Sequence, residues 1–251
     1  MKTREVAARR ILSRSRVFDY TLNPYTGCAY GCTYCYARFM KRFAGRKERW
    51  GEFVDVKLNA PELLVRETER KRRAGRVWVS GVCDPYQPVE RRYGLTRRCL
   101  DILTGNGWPV TVQTKSPLVL RDLDLLKRAR GAEVGLTVTT ADEGVRVLFE
   151  PKAPRIEERI CALSVLRSEG VRTFAMIAPL LPGAGGLVEL LRGRVDYVLI
   201  DRMNYHHADR VYRKYALEWA AEAEFFMRTG RELQSSLERE GIPCEVLFRG
   251  S

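Results

Sequence analysis

The sequence predicts an α/β fold, a partial (β/α)6 barrel of TIM type that is open on one side and carries a C-terminal helical extension. Three observations predict it. Short apolar runs rich in Val, Ile and Thr alternate with helical stretches, Gly or Pro marks most of the junctions, and 251 residues of 45% hydrophobic content can bury one sizeable core. Strands separated by helices need right-handed crossovers, and these produce a parallel sheet. The expected division is a basic N-terminal extension over residues 1–18 that packs outside the barrel or frays, the barrel over 19–205, and a helical segment over 206–251 packed on it.

The first barrel strand is expected at 18–23, where Phe18, Tyr20 and Leu22 alternate with polar residues until Asn23-Pro24 stops the run. Residues 36–49 are helical in pattern but heavily charged, and 50–58 read as a short strand or an extended connection. Asn59-Ala60-Pro61-Glu62 opens a helix that runs to Gly75. Strand two covers 76–82. A helix capped by Thr96 leads to strand three at 109–115, and a helix over 119–130 leads to strand four at 133–139. The helix starting near Ala153-Pro154 runs to Ser168, strand five covers 172–178, and strand six covers 195–201. From about residue 210 to 240 the pattern is helical, with a split expected near Gly230 and core contacts from Leu217, Trp219, Phe225, Phe226 and Met227; 242–248 is a last strand or packed tail.

The loop after strand one carries Cys28, Cys32 and Cys35, spaced C-x3-C-x2-C between Gly27, Gly31 and a run of aromatics. Three thiolates on a short loop can converge on one soft metal site, either zinc or an iron–sulfur cluster. No second C-x2-C or Cys/His pair follows to close a zinc module. Three ligands on a four-iron cubane leave one iron open, an arrangement suited to chemistry. A barrel places its active site at the C-terminal ends of its strands, where this loop falls.

Composition narrows the setting. The net charge of +13 comes in local runs, Arg38, Lys41, Arg42, Arg46, Lys47 and Arg49, then Arg70, Lys71, Arg72, Arg73 and Arg76. Such a surface attracts polyanions, which makes nucleic acid a candidate partner. No apolar run approaches the roughly eighteen residues of a membrane span, and the N-terminus lacks the apolar core of a secretory signal. An odd count of seven cysteines, three of them clustered, fits a reducing compartment. The expected location is cytoplasmic, away from membranes.

The CxxxCxxC run with Tyr34 before its last cysteine resembles the signature of radical S-adenosylmethionine (SAM) enzymes. With Asp84-Pro85-Tyr86-Gln87-Pro88 and the blocks at 114–126, 149–154 and 178–183, the chain resembles the spore photoproduct lyase-like, DNA repair photolyase-like branch of that superfamily over roughly residues 19–201. The resemblance implies a [4Fe–4S] cluster on Cys28, Cys32 and Cys35, and SAM bound to its open iron. Reductive cleavage of SAM to a 5′-deoxyadenosyl radical and hydrogen abstraction from a substrate follow, with a DNA lesion such as a thymine photoproduct as the named possibility. RNA, peptide or small-molecule substrates are alternatives, as is a zinc-bound, non-enzymatic nucleic-acid-binding module. The resemblance also implies an electron donor such as flavodoxin or ferredoxin.

Tyr34 matches the aromatic beside the SAM adenine, and Tyr36 lies near the same wall. Ser80, Gly81 and Asp84 at the end of strand two fall where the superfamily holds the SAM amino group. Lys115 and Ser116 after strand three, Thr139 and Thr140 after strand four, and Glu150, Lys152 and Arg155 or Arg159 face the same rim, and an arginine there suits a carboxylate. Cys83 is a hydrogen-atom donor candidate or a small buried thiol. Tyr86, Tyr93 and Tyr205 are candidates for radical relay or base stacking, and Tyr86 joins Cys83 as a catalytic candidate. His206 and His207 are proton or phosphate contacts, or simply a polar loop.

Overall fold

The computed structural model describes residues 1–71 and 73–248, so Arg72 of the second basic run and the last three residues of the expected C-terminal segment lie outside it. The chain forms eleven described strands: β1 (Lys2–Val6), β2 (Leu12–Arg14), β3 (Tyr20–Leu22), β4 (Tyr25–Thr26), β5 (Phe53–Lys57), β6 (Val77–Val79), β7 (Val110–Thr114), β8 (Glu133–Thr137), β9 (Arg172–Ile177), β10 (Tyr197–Ile200) and β11 (Cys244–Val246). Eight of them make one sheet in the order β11-β10-β9-β8-β7-β6-β3-β2, parallel throughout except for the antiparallel edge β2. Its six central strands, β3 and β6 to β10, are those of the predicted partial barrel, and β11 adds a parallel strand to β10.

The barrel strands are apolar on both faces because helices cover the outside and side chains fill the inside, as buried parallel strands require. Val77, Val79, Val110, Val112, Val134, Leu136, Ala175, Ile177, Val198 and Ile200 sit in one core. Arg172, at the N-terminal end of β9, is exposed and pairs with Glu133.

The N-terminal extension does not fray. Lys2–Val6 pairs in parallel with β5, and β4 pairs antiparallel on the other side of β5, making a second, three-stranded sheet. The 50–58 segment is therefore a strand of this small sheet. Its Asp55 carboxylate takes Arg4 and Arg46 together, with Arg4 Nη2 at 2.7 Å, which binds the extension to the segment after the cysteine loop.

Several helices differ from expectation for local reasons. The helix Ala60–Glu69 ends six residues short of Gly75. In the helix Leu95–Gly105, Thr96 lies inside the first turn and donates to the Pro85 carbonyl at 2.6 Å, while Gly94 at φ 61° occupies the cap. Residues 36–49 hold only a 3-10 turn, Tyr36–Phe39, and a short helix, Met40–Ala44, ended by left-handed Gly45. The C-terminal tract breaks between Asp209–Lys214 and Ala223–Arg239, not at Gly230. Gly230 sits mid-helix because the Phe248 ring covers it, and a Cβ there would lie 2.9 Å from that ring. Trp219, expected in the core, is 53% exposed, whereas Phe225 and Phe226 are buried. Among the described residues no helix is long and apolar enough to cross a membrane.

Candidate active site

The cysteine loop leaves β4 and lies across the C-terminal ends of the barrel strands. Gln87, fully buried, holds it from below: its side-chain oxygen accepts from the Ala29 N–H at 2.9 Å, and its amide donates to the Gly27 carbonyl at 3.1 Å. On the far side, the Thr33 N–H and hydroxyl both donate to the Phe149 carbonyl, at 2.8 and 3.2 Å. Gly31 at φ 61° and Gly51 at φ 91° meet backbone to backbone, and a Cβ on Gly51 would stand 2.7 Å from Gly31 Cα. Only glycine permits both that φ and that approach. The contact lays Trp50 against the loop.

Cys28, Tyr30, Cys32 and Ala153 form one buried cluster, with Tyr34, Cys35 and Trp50 packed against it. All three thiols are free. Burial pushes each upward, Cys32 to about 12, while Lys115 beside Cys32 opposes the rise. The thiols share one buried cluster, which suits a group taking one thiolate per iron. Two buried donors here, Trp50 Nε1 and Arg38 Nε, have no hydrogen-bond partner. Soft donors in a desolvated pocket, with unspent N–H groups beside them, fit a thiolate-bound iron–sulfur group.

Glu150 is the hub of the predicted rim. The Tyr34 hydroxyl donates to it, Thr139 Oγ1 donates at 3.3 Å, Lys115 Nζ stands at 3.8 Å, and Arg159 Nη1 lies 2.6 Å from Oε2. The Arg159 contact is an ion pair, since Oε2 makes no hydrogen bond of good angle. Burial works against the carboxylate, but Arg159 and Lys115 outweigh it and hold its pKa below the usual range. Lys115 also lies over the Tyr34 ring, 5.6 Å from its centre. Tyr34, Lys115, Thr139 and Glu150 are thus brought together beside Cys32.

Asp84 joins two strand ends. Its carboxylate accepts from Thr114 Oγ1 at 2.6 Å, the Lys115 N–H at 2.8 Å and the Tyr86 N–H at 2.9 Å. Burial raises its pKa against these donors. Ser80 Oγ donates to Asn23 at 2.9 Å, and the Gly81 carbonyl accepts from the Tyr36 hydroxyl. Ser116 is buried and spends its hydroxyl accepting from the Leu118 N–H at 3.3 Å, and Thr140 spends its own on the Pro182 carbonyl.

Five predicted residues are placed elsewhere. Tyr86, expected as catalytic, has no exposed surface and donates to Asp122 at 3.0 Å inside the core, so it cannot meet a substrate. Arg155 is exposed at the start of the helix Ile156–Ser168, where its backbone N–H donates to Glu158; Arg159, one turn on, is the arginine that reaches the site. Lys152 turns to the Gly51 carbonyl at 3.1 Å. Tyr93 donates to Glu5 at 2.9 Å, and His206 is almost wholly exposed, 3.4 Å from Asp209.

Above the rim stands an aromatic stack. The Tyr36 and Tyr205 rings lie 6.4 Å apart at 19°, and Tyr205 and His207 lie 5.6 Å apart at 7°. Tyr36 and Tyr205 are largely open to solvent, as are Phe39 and Phe43 in the turn that follows the cysteines. Burial and the nearby Arg38 lower the His207 pKa, which keeps its ring neutral. Cys83 is half-buried against Tyr25, Ala29, Val56 and Val89, with its sulfur 2.8 Å from Ser80 Oγ. Burial pushes this thiol up to about 11.

Sequence reading missed Gln87, Gly51 and Trp50. Gln87 stood inside the DPYQP block but carries no chemistry of its own, and Trp50 and Gly51 lay in a segment with no barrel periodicity.

The Radical SAM superfamily model matches residues 22–185. An uncharacterized protein of Methanocaldococcus jannaschii is 39% identical over 163 residues, 65% of this chain and 61% of that protein. One of Mycobacterium tuberculosis is 30% identical over 171 residues, 66% of this chain and 50% of that protein. The chain thus matches half to three-fifths of these relatives' length. A Pseudomonas phage M6 protein named radical SAM Nalpha-GlyT isomerase is 25% identical over 161 residues, 64% of this chain and 33% of that protein. Among solved structures, spore photoproduct lyase complexed with dinucleoside spore photoproduct superposes with a TM-score of 0.72, at 15% identity over 98% of this chain and 82% of the other. Streptococcus suis SuiB bound to S-adenosylmethionine gives a TM-score of 0.55 at 14% identity, over 91% and 50%. At these identities the structural likeness carries the fold alone. A zinc-bound, non-enzymatic module does not fit the family match.

Proposed function

Since the chain belongs to the radical SAM superfamily and so takes a [4Fe–4S] cluster and SAM, we propose that it acts on a base of nucleic acid, with reversal of a thymine photoproduct in DNA as the specific reaction. The observation that carries this reading is the open aromatic stack of Tyr36 and Tyr205 beside the cluster loop, with Lys41, Arg42 and Lys47 following Tyr36 along the chain. Exposed rings interleaved with cations take bases by stacking and phosphates by charge. A damaged base is easier to turn out toward such a stack than a normal one.

Cys28, Cys32 and Cys35 hold the cluster. The Tyr34 ring, the Gly81 backbone and Lys115 form the wall for SAM, and Glu150 fixes Tyr34 and Lys115 in place. When bound, the cluster and SAM together supply a 5′-deoxyadenosyl radical that takes a hydrogen atom from the substrate. Cys83 is the hydrogen-atom donor of the reading: its thiol keeps its proton at neutral pH, and an S–H bond is what a substrate radical can draw on. The lyase structure that superposes on this chain, complexed with dinucleoside spore photoproduct, supports the reading.

The test is turnover of reduced holoenzyme and SAM with a photoproduct-bearing oligonucleotide deuterated at C6 of its thymines. Repaired thymine, with deuterium appearing in 5′-deoxyadenosine, is expected. Formation of unlabelled 5′-deoxyadenosine with the oligonucleotide unchanged removes DNA lesion reversal and leaves a radical SAM enzyme for another substrate.

A further inference from the structure

The Trp50 indole N–H and the Arg38 Nε–H are both buried and unpartnered, and both belong to the Cys35 side of the loop. Arg38 is anchored by its Nη2, which donates to the carbonyls of Cys32, at 3.3 Å, and Thr33. That leaves Nε inside, turned from solvent, and the guanidinium acts on Cys35 before Cys32. Trp50 packs on Cys28, Tyr30 and Cys32, edge-on to the Phe53 ring at 5.9 Å and 81°. Cys35 packs against the same cluster. An orphaned buried donor is destabilising, and both of these lie on the segment that follows the cysteines, twelve residues apart in the sequence.

The backbone is built to bring Trp50 here. The Gly31–Gly51 contact has no room for a side chain on Gly51, and Lys152 fastens the Gly51 carbonyl. Trp50 precedes β5, a strand of the small sheet outside the barrel, so the small sheet delivers a donor that no barrel strand supplies.

We propose that Trp50 Nε1–H, with Arg38 beside it, donates to sulfur at the Cys35 corner of the iron–sulfur cluster and raises the cluster's reduction potential. Donors to cluster sulfur stabilise the more negative, reduced state. Trp50 is a positioning and tuning residue here; it does not touch substrate. This inference rests on the cluster and is independent of the substrate.

The experiment is an EPR-monitored redox titration of anaerobically reconstituted wild type and Trp50→Phe, with iron and sulfide counted in each. The bond is stronger to the more negative, reduced cluster, so the variant is expected to be about three- to tenfold harder to reduce, a fall of about 30–60 mV for one electron, with unchanged metal content. An unchanged potential at equal metal content overturns the proposal. The second measurement uses wild type alone, so it survives a variant that fails to fold: pulsed EPR of the reduced cluster in protein labelled with 15N in the indole ring. A 15N coupling is expected, and its absence overturns the proposal. Failure of the family reading looks different, because the wild type would then hold no iron or sulfide.

Discussion

Arg159 Nη1 lies 2.6 Å from Glu150 Oε2, and neither side chain has any exposed surface. The pair underlies the rim: Arg159 also donates to the carbonyls of Thr137 and Pro154, and Glu150 gathers Tyr34, Thr139 and Lys115. Removing one partner leaves the other charged in a dry site, which costs about 3–5 kcal/mol. Glu150→Gln should lower unfolding stability by that amount in urea titration of the apoprotein and weaken SAM binding with it. A loss under about 1 kcal/mol would mean that water reaches the pair.

Gly51→Ala puts a Cβ 2.7 Å from Gly31 Cα at a φ of 91°, so the 50–53 segment must move off the cysteine loop. Overpacking of this kind costs about 1–3 kcal/mol. The expected result is a lower iron-to-protein ratio after reconstitution, accompanied by a lower melting temperature. Gly105→Ala, where a Cβ meets nothing within 4 Å and the backbone is not left-handed, is the control, and its iron content should stay near that of wild type.

Cys83 titrates from about 11 in the folded chain, against an ordinary value of 9.0. The folded state therefore keeps a proton that the unfolded chain has lost across that window. Stability contributed by this group is full below pH 9 and falls as pH rises toward 11. Apoprotein carrying Cys83→Ala should show a shallower decline than wild type between pH 9 and 11. With photoproduct as substrate, the same variant should divert the product away from clean thymine repair; an unchanged product distribution would take the donor role from Cys83.

Tyr36→Leu and Tyr205→Leu remove one ring each from the open stack. Stacking of a base on an aromatic is worth about 1–3 kcal/mol, so each variant should bind a single-stranded oligonucleotide roughly five- to a hundred-fold more weakly by fluorescence anisotropy. The salt slope, set by the cations, should stay the same. Equal affinity in both variants would place the nucleic acid elsewhere or remove it.

The barrel was legible because buried parallel strands are nearly continuous apolar runs, such as Val77–Val79 and Val110–Thr114, set off by Gly75 and Pro109. Lys2–Val6 was not, since it is exposed and mostly charged, and its strand character comes wholly from pairing with Phe53–Lys57. The three cysteines stood out by their spacing, Tyr34 by its place before the last cysteine, and Lys115 and Thr139 by theirs at strand ends, with Glu150 just beyond. Tyr86 misled because the chemistry of a phenol says nothing about Asp122 waiting in the core. Gln87 acts on Ala29, 58 residues away in the sequence, and Trp50 acts from outside the barrel repeat; no local pattern announces such contacts.

The most direct measurement is of SAM cleavage by anaerobically reconstituted protein under reduction, with iron and sulfide counted in the same sample. The account predicts about four irons and about four sulfides per chain, 5′-deoxyadenosine formed from SAM, and both lost in Cys32→Ala. A wild-type protein that assembles no cluster, or one that assembles it and yields no 5′-deoxyadenosine, would contradict the account.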